Sequence, residues 1–289
     1  MIRAVANPTG HERATRSPKA IAQAMLRKVG LYHRLKASPI YDLYWRLSDR
    51  RILQQRATEL TFYRTVLDGF QPGSLIFDIG ANQGYKSAIF LKLGARVVAV
   101  EPDPHSQQVL KETFLQYRVF KPPLVIVGMA ASDRDGIGQI WLDAPGSAKN
   151  TLSTKWVDIL RNDPERFGTP LAFASTQRTA TISLDSLIAT HGVPFYIKID
   201  VEGHEPMTLS GLRRPVRYLS FEVNLPEFRT EGAQCVERLA YLAPSGTFNY
   251  VVDCASGLAL KQWANKRDFL TILDQCDSRS IEVFWKSEG

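Results

Sequence analysis

Short runs of β-branched and apolar residues alternate with segments of helical pattern from residue 75 to the end of the chain. Such alternation is typical of a mostly parallel sheet covered by helices on both faces, because the strands are then buried on both sides. The sequence therefore predicts an α/β fold with a mostly parallel seven-stranded sheet flanked by helices. The predicted strands are LIFDIG (75–80), RVVAVE (96–101), LVIVGMAAS (124–132), YIKID (196–200), YLSFEVN (218–224), FNYVVD (248–253) and SIEVFW (280–285), and the predicted helices cover 84–93, 104–118 and a short stretch from about 205.

The N-terminal part of the chain differs from the rest in charge and in pattern. Residues 1–66 hold 13 Lys and Arg against 4 Asp and Glu, a balance of +9, so the other residues contribute −2 to the total of +7. We expect a disordered basic tail over 1–19 and a helical extension over 20–70, with helical spacing in 20–36 and 41–69. A basic arm can contact nucleic acid, an anionic membrane or an acidic partner, or it can be a solvated helical appendage.

The remaining domain, residues 71–289, contains one long departure from regular alternation, the insert 133–181. GQIWLD (138–143) and RTATISL (178–184) predict two strands there, and the sequence between them is polar and irregular. A long irregular segment inside a compact domain is usually a lid, a binding segment or a disordered excursion. We expect the insert to form a substrate-side lid.

The composition disfavours several classes of protein. No run of 18 or more apolar residues exists, so no transmembrane helix is predicted, and the N-terminus lacks the apolar core of a secretory signal. Cys235, Cys254 and Cys276 are too few and too scattered for a disulfide framework or a cysteine-based metal site. We therefore expect a cytoplasmic protein with reduced thiols.

The first predicted strand ends in an acid and passes directly into a glycine turn, LIFDIGANQGYKS (75–87). In a doubly wound sheet, ligands bind at this position, outside the carboxyl ends of the strands. A dinucleotide requires G-x-G-x-x-G, but Asn82 obstructs close approach of a pyrophosphate and Asp78 would repel it. S-adenosylmethionine carries a sulfonium and an ammonium and no phosphate, so the site formed by Asp78, Gly80, Asn82 and Gly84 suits it better.

Two further strand ends complete the predicted cofactor site. Glu101 ends the second strand about 20 residues beyond the turn, where an acid accepts the ribose hydroxyls in nucleotide-binding folds. Asp103 is expected to cap the following helix, which leaves Glu101 free. Ser132 and Asp133 end the third strand and are candidates for binding the adenine amino group. Asp78 as a helix cap, and the Ser132–Asp133 pair as a simple turn, remain alternatives.

The fourth predicted strand continues into YIKIDVEGHEPMTLSGL (196–212). Amine-directed methyltransferases usually carry an Asn- or Asp-Pro-Pro-aromatic turn here, so N-methylation is disfavoured. Together with FDIGANQG, VVAVEPDP, GMAASDRDG, ISLDSLI and LSFEVN, the segment IKIDVEGHE resembles the FkbM family of S-adenosylmethionine-dependent methyltransferases, from about residue 58 to about 225. The resemblance implies a class I methyltransferase (Rossmann-like) fold. It also implies O-methylation of hydroxyls of sugars in glycolipids or polysaccharides, or of natural products.

Acidic and imidazole side chains are concentrated at the carboxyl end of this strand, beside the expected methyl group. A sugar hydroxyl is a poor nucleophile unless a base removes its proton. Asp200 is a candidate for that base, or for a group that orients the acceptor or the methionine amine, and His204 is a second candidate base near neutral pH. Glu202 is predicted to hold substrate or to cap the next helix. Glu222 and Asn224, on the next strand, are predicted to line the acceptor pocket.

A metal ion is not expected at this strand end. The donors at positions 200, 202, 204 and 205 could bind Mg²⁺ only if they faced one point. Lys198, which is unusual inside an apolar strand, is expected to pair with an acid such as Glu222 or to extend its amine to solvent.

Three other functions compete with O-methylation. An RNA methyltransferase could use the basic arm, in which aromatic residues could stack on bases. A protein with the same fold could be a non-catalytic binding module. A nicotinamide oxidoreductase is disfavoured by the glycine pattern. The expected partner is a small-molecule or glycan acceptor and not nucleic acid, and the sequence carries no sign of an oligomeric state.

Overall fold

The computed structural model describes residues 50–115, 117, 123–163, 171 and 173–288. The predicted tail over 1–19 and the predicted helix over 20–36 lie outside the described residues. In chain order the elements are α1 (Arg50–Val66), β1 (Leu75–Ile79), α2 (Tyr85–Lys92), β2 (Arg96–Val100), α3 (Pro104–Thr113), β3 (Leu124–Val127), β4 (Ala130–Ser132), β5 (Gly136–Leu142), α4 (Thr154–Asn162), β6 (Ser175–Ser183), α5 (Leu184–His191), β7 (Tyr196–Ile199), α6 (Glu205–Ser210), β8 (Tyr218–Asn224), α7 (Arg229–Leu242), β9 (Thr247–Val251), α8 (Lys266–Asp274) and β10 (Ser280–Lys286).

Seven strands form the central sheet in the order β3-β2-β1-β7-β8-β10-β9. All neighbours pair in parallel except β10, which runs antiparallel to both β8 and β9. The order reverses between β1 and β7, so the carboxyl ends of these two strands form the crevice in which doubly wound sheets bind ligands. The predicted mostly parallel, seven-stranded sheet is confirmed.

The third predicted strand is wrong as a single element. β3 ends at Val127, and the chain then forms β4, which pairs with β6 in a separate three-stranded sheet of order β4-β6-β5. The reason is that β2 ends opposite Val127, so the residues beyond it have no neighbour in the central sheet. The two strands predicted in the insert are present as β5 and β6, and they pair antiparallel.

Helices cover both faces of the central sheet. One buried cluster combines side chains of the sheet with residues of α4 to α8, and the other combines the opposite face with α1, α2 and α3. Tyr63 of α1 is fully buried, and its ring packs against Phe90, Tyr196 and Phe284. The N-terminal helix α1 is therefore part of the core of the domain. No helix in the described ranges combines the length and the apolar character needed to cross a membrane.

Candidate active site

The turn after β1 and the turn after β7 touch each other at Gly80. Gly80 has φ 79°, and a Cβ at this position would lie 1.7 Å from the carbonyl oxygen of Asp200. The Asp200 N–H also donates to the Ile79 carbonyl at 3.0 Å. Glycine is therefore required at position 80 both by backbone conformation and by close approach. The contact fixes Asp200 beside the predicted cofactor turn.

Glu101 is bound to the same turn and is not free as the sequence predicted. Its Oε2 accepts the N–H of Asn82 at 2.7 Å and its Oε1 accepts the N–H of Asp103 at 2.8 Å. Asn82 itself adopts the left-handed conformation, φ 45°. Burial raises the pKa of Glu101 to about 7, although these two hydrogen bonds oppose the shift. A carboxylate has about four acceptor sites, so ribose hydroxyls can still bind to Glu101.

A cleft lies above these turns, at the carboxyl ends of β1, β2 and β7. Of the predicted site residues, its lining includes Gly80, Asn82, Glu101, Asp200, Glu202 and His204.

Residues 147–152 of the insert form another wall of the cleft. Asp103 Oδ2 anchors this segment because it accepts the N–H of Gly146 at 2.6 Å and the amide of Asn150 at 2.8 Å. On the other side, the Thr151 hydroxyl donates to the Glu202 carbonyl at 2.7 Å. This part of the insert thus connects the turn after β2 with the turn after β7.

Asp78 and Gly84 support the cleft from below and are not among its lining residues. Asp78 is buried in β1 and accepts a hydrogen bond of 2.6 Å from the Ser87 hydroxyl. Burial raises the pKa of Asp78, although the nearby Lys198 opposes this shift. A Cβ at Gly84 would lie 2.5 Å from side-chain atoms of Leu110 and Phe114, so glycine here lets the start of α2 approach α3. Asp78 and Gly84 therefore have structural roles, and their predicted contacts with the cofactor stay predictions.

Ser132 and Asp133 lie on and just after β4, outside the lining of the cleft. The Ser132 hydroxyl is 3.2 Å from Nε2 of His204 and 3.2 Å from a carboxylate oxygen of Asp133. The two preceding residues of β4, Ala130 and Ala131, do line the cleft. The predicted contact of this pair with adenine stays a prediction. Burial lowers the pKa of His204 to about 4, although Asp133 opposes the shift, so its imidazole is a weak base.

Asp200 forms a close ion pair with Lys198. Lys198 Nζ lies 2.7 Å from Asp200 Oδ2, and the lysine side chain is 5% exposed against 36% for the aspartate. Burial favours the protonated form of Asp200, but the charge and hydrogen bond of Lys198, a hydrogen bond with Glu222 and the charge of Lys86 together lower the pKa of Asp200. The prediction that Lys198 pairs with an acid is confirmed, but its partner is Asp200 and not Glu222. Because its pKa is lowered, Asp200 is ionised at the end of β7 at neutral pH.

Glu202 and Glu222 converge on Asp200. One carboxylate oxygen from each of the three residues lies within 4.8 Å of the others, which is a spacing that could hold a metal ion. Burial and the charges of Glu222 and Asp200 raise the pKa of Glu202, while burial and Asp200 raise the pKa of Glu222 to about 8. Of the four donors considered from sequence, Asp200 and Glu202 belong to this cluster, and Glu222 is its third member.

Glu205 and Asn224 orient the members of this cluster. Glu205 Oε1 accepts the N–H groups of Val201 and Gly203, at 3.0 and 3.3 Å, and so holds the turn in which Glu202 has φ 55°. The Asn224 amide donates to Glu222 at 3.3 Å. Asn224 is therefore attached to the cluster through Glu222, and its predicted place in the acceptor pocket stays a prediction.

Sequence reasoning missed three charged residues that lie close to Asp200 in space. Glu282 on β10, Glu59 on α1 and Lys86 on α2 line a second cavity that also contains Asp200 and Glu222. A glutamate inside the apolar strand SIEVFW was the available signal for Glu282. The helical pattern of α1 carried no signal for Glu59.

The fold and the site together define a class of protein. The central sheet has one antiparallel strand, β10, inserted between β8 and β9. The glycine turn after β1 contacts an acid that follows β2. These two features are those of the class I methyltransferase fold. Residues 78–250 match the profile of the methyltransferase FkbM domain. This match covers more than half of the chain, so the protein belongs to the FkbM methyltransferase family. The predicted fold class, enzyme class and family are confirmed.

Solved structures with similar folds are remote in sequence. The methyltransferase FkbM from Methylobacillus flagellatus KT is 16% identical, with a TM-score of 0.48 over 78% of this chain and 47% of that chain. The protein thus spans about half the length of that structure. A TehB-like SAM-dependent methyltransferase from Corynebacterium glutamicum is 11% identical, with a TM-score of 0.40 over 87% and 100% of the two chains. The plantazolicin methyltransferase BpumL, solved in complex with SAH, is 8% identical, with a TM-score of 0.39 over 93% and 100%. No curated protein sequence matches significantly.

Proposed function

We propose that the protein transfers a methyl group from S-adenosylmethionine to a hydroxyl of a sugar, a glycolipid or polysaccharide, or a natural product. The observation that carries this proposal is the contact between Gly80 and Asp200, which joins the cofactor turn to an ionised carboxylate held by Lys198. Membership of the FkbM methyltransferase family supports the reaction class.

The residues of the cleft fit S-adenosylmethionine. The bound cofactor supplies an electrophilic methyl group on a sulfonium. Glu101 binds the ribose hydroxyls with its unused acceptor sites, and Gly80 and Asn82 shape the turn beside it. The negative charge of Asp200 and the absence of a phosphate-binding glycine pattern both favour a cationic ligand over a dinucleotide.

Asp200 is the base that we assign to the acceptor hydroxyl. Its carboxylate is ionised and remains 36% exposed at the edge of the cleft, so it can accept a proton as the new bond forms. His204 is the second candidate because its Nε2 lies 3.2 Å from the Ser132 hydroxyl, whereas Asp200 contacts the cofactor turn at Gly80. Glu202 and Glu222 hold the acceptor beside Asp200.

Cofactor binding is tested by calorimetric titration of S-adenosylmethionine into the wild type and into Glu101→Gln. The isosteric change keeps one acceptor oxygen for the turn but removes the negative charge, and we expect binding to weaken about tenfold, or about 1.4 kcal/mol. Glu112→Gln is the matched control, because Glu112 is half-buried on α3, does not line the cleft, and its carboxylate accepts a hydrogen bond from Gln108. If wild-type protein binds NAD and not S-adenosylmethionine, the methyltransferase proposal fails.

Catalysis is tested by isotopic methyl transfer to a panel of hydroxylated acceptors. Asp200→Asn is expected to lose at least about 10²-fold in turnover, the usual contribution of a general base, with cofactor affinity changed only a few-fold. His204→Asn is the control and should keep most of the turnover. Methyl transfer to RNA alone would favour the RNA methyltransferase alternative. Cofactor binding without transfer to any acceptor would favour the non-catalytic alternative.

A further inference from the structure

A second cavity of about 280 Å³ adjoins the cofactor cleft through Asp200, which lines both. It lies between α1, α2 and the carboxyl ends of β7 and β8, and the first residues of β10 close it on the far side. A reacting hydroxyl placed in this cavity beside Asp200 would face the cofactor turn. The cavity therefore has the position of an acceptor site.

Most of this cavity is built from parts of the chain outside the family match. Residues 78–250 match the FkbM domain, whereas Gln55 and Glu59 of α1, residues 251–254 and residues 280–282 lie outside it. Glu59 is 5% exposed and accepts hydrogen bonds from Lys86 Nζ and the Tyr85 hydroxyl, both at 2.7 Å. The wall contributed by α1 is thus firmly attached to α2. Selectivity for the acceptor is expected to reside in these added walls.

Acidic side chains exceed basic ones around the cavity. Its lining contains two lysines, Lys86 and Lys198, and five acids, which are Glu59, Asp200, Glu222, Asp253 and Glu282. Each lysine already forms a close ion pair, Lys86 with Glu59 and Lys198 with Asp200, both at 2.7 Å. Within the described part of the chain, no ion pair to Glu222 or Glu282 is found.

Glu222 and Glu282 face each other directly. They are register partners on the antiparallel strands β8 and β10, a placement in which like charges destabilise a sheet. Hydroxyl donors hold both carboxylates in place, Ser280 on Glu222 at 2.8 Å and Ser220 on Glu282 at 2.6 Å. Burial together with the charge of Asp200 raises the pKa of Glu222 to about 8, as expected where negative charge is undercompensated.

Resting on the proposed methyl transfer, we propose that this cavity binds the acceptor and that the acceptor carries a protonated amine near its reacting hydroxyl, as in an amino sugar. An ammonium group has three donors and one positive charge, which suits the Glu282 carboxylate, with Glu222 supplying further acceptor oxygens. The hydroxyl then reaches Asp200. Anionic acceptors such as uronic acids are repelled by the carboxylates of Asp200 and Glu282.

The test compares three sugars that differ chiefly in charge, using wild-type protein loaded with S-adenosylhomocysteine. Dissociation constants of D-glucosamine, D-glucose and D-glucuronate are measured by NMR titration at a pH where the amine is protonated. We expect glucosamine to bind about tenfold more tightly than glucose, and glucuronate to bind most weakly. In Glu282→Gln the preference for glucosamine should fall to about threefold or less, with unchanged affinity for S-adenosylhomocysteine. Glu237→Gln, an exposed acid on α7, is the matched control.

Several results would overturn the inference. Equal affinity for glucose and glucosamine, preference for glucuronate, or no detectable glucosamine binding would each do so. Displacement of glucosamine by millimolar Mg²⁺ would assign the carboxylates to a metal ion instead. If the protein binds S-adenosylhomocysteine and transfers methyl groups to other acceptors, only the acceptor class is wrong. If it binds neither S-adenosylmethionine nor S-adenosylhomocysteine, the proposed function itself fails.

Discussion

Replacing Gly80 with alanine should damage the junction between the cofactor turn and Asp200. A Cβ at position 80 would lie 1.7 Å from the Asp200 carbonyl oxygen, whereas real Cβ atoms stay beyond 3.0 Å. The turn after β7 would therefore have to move by at least about 1.3 Å, which is a backbone shift of the kind that overpacking causes. The neighbouring hydrogen bond from Asp200 N–H to Ile79, now 3.0 Å, would be lost or stretched.

The magnitude follows from three contributions. Alanine in the left-handed conformation costs about 1–2 kcal/mol. Overpacking costs about 1–3 kcal/mol, and loss of one hydrogen bond costs about 0.5–1.5 kcal/mol. Gly257→Ala isolates the first contribution, because Gly257 has φ 73° and nothing lies within 4 Å of its Cβ position. Gly80→Ala should therefore be about 2–4 kcal/mol less stable than Gly257→Ala.

Urea unfolding followed by tryptophan fluorescence measures this difference without any knowledge of the acceptor. Turnover, once an acceptor is found, should fall about 10²-fold in Gly80→Ala, because a misplacement of about 1 Å is enough to disturb catalytic geometry. If both alanine variants have the same free energy of unfolding, the close approach of the two turns is not a constraint and the reasoning is refuted.

Two further predictions concern charge. Lys198→Met should lower the free energy of unfolding by about 2–3 kcal/mol, less than for a fully buried pair because Asp200 stays 36% exposed. Lys266→Met breaks the exposed ion pair with Glu237 and should lower the free energy of unfolding by less than about 1 kcal/mol in the same urea assay. Equal losses of stability in Lys198→Met and Lys266→Met would contradict the structure. Burial raises the pKa of Glu205 from 4.5 to about 7, so the native state holds a proton that the unfolded state releases. The free energy of unfolding should then fall as pH rises between these values. In urea titrations across the same range, Glu205→Gln should reduce the slope of the free energy of unfolding against pH. An unchanged slope would count against a buried Glu205.

The central architecture could be predicted from sequence because its signals are local. Buried parallel strands must be apolar along their length, so runs such as YLSFEVN mark a strand whose observed limits, Tyr218–Asn224, match the prediction. Asp103 was also predictable as a helix cap, since its side chain accepts the N–H of His105. The acids at strand ends predicted where the site lies, because the carboxyl ends of parallel strands meet at one edge of the sheet.

The partners of the site residues could not be predicted in the same way. LVIVGMAAS is continuously apolar or small, so nothing local marked the point where the chain leaves β3 for a second sheet. That departure placed Ser132 in a separate sheet, where its hydroxyl is 3.2 Å from His204. The sequence offers several acids as partners for Lys198, and only the tertiary structure shows that the partner is Asp200.

The sequence by itself determined the class of sheet, the position of the glycine turn and the family, because each depends on residue type and spacing along one segment. Tertiary structure alone decided which carboxylates meet. Asp200, Glu222 and Glu282 come from three strands that are distant in the chain and adjacent in the sheet. The electrostatic interaction among these carboxylates depends on distances across strands and on burial, and no single segment of the sequence determines either quantity.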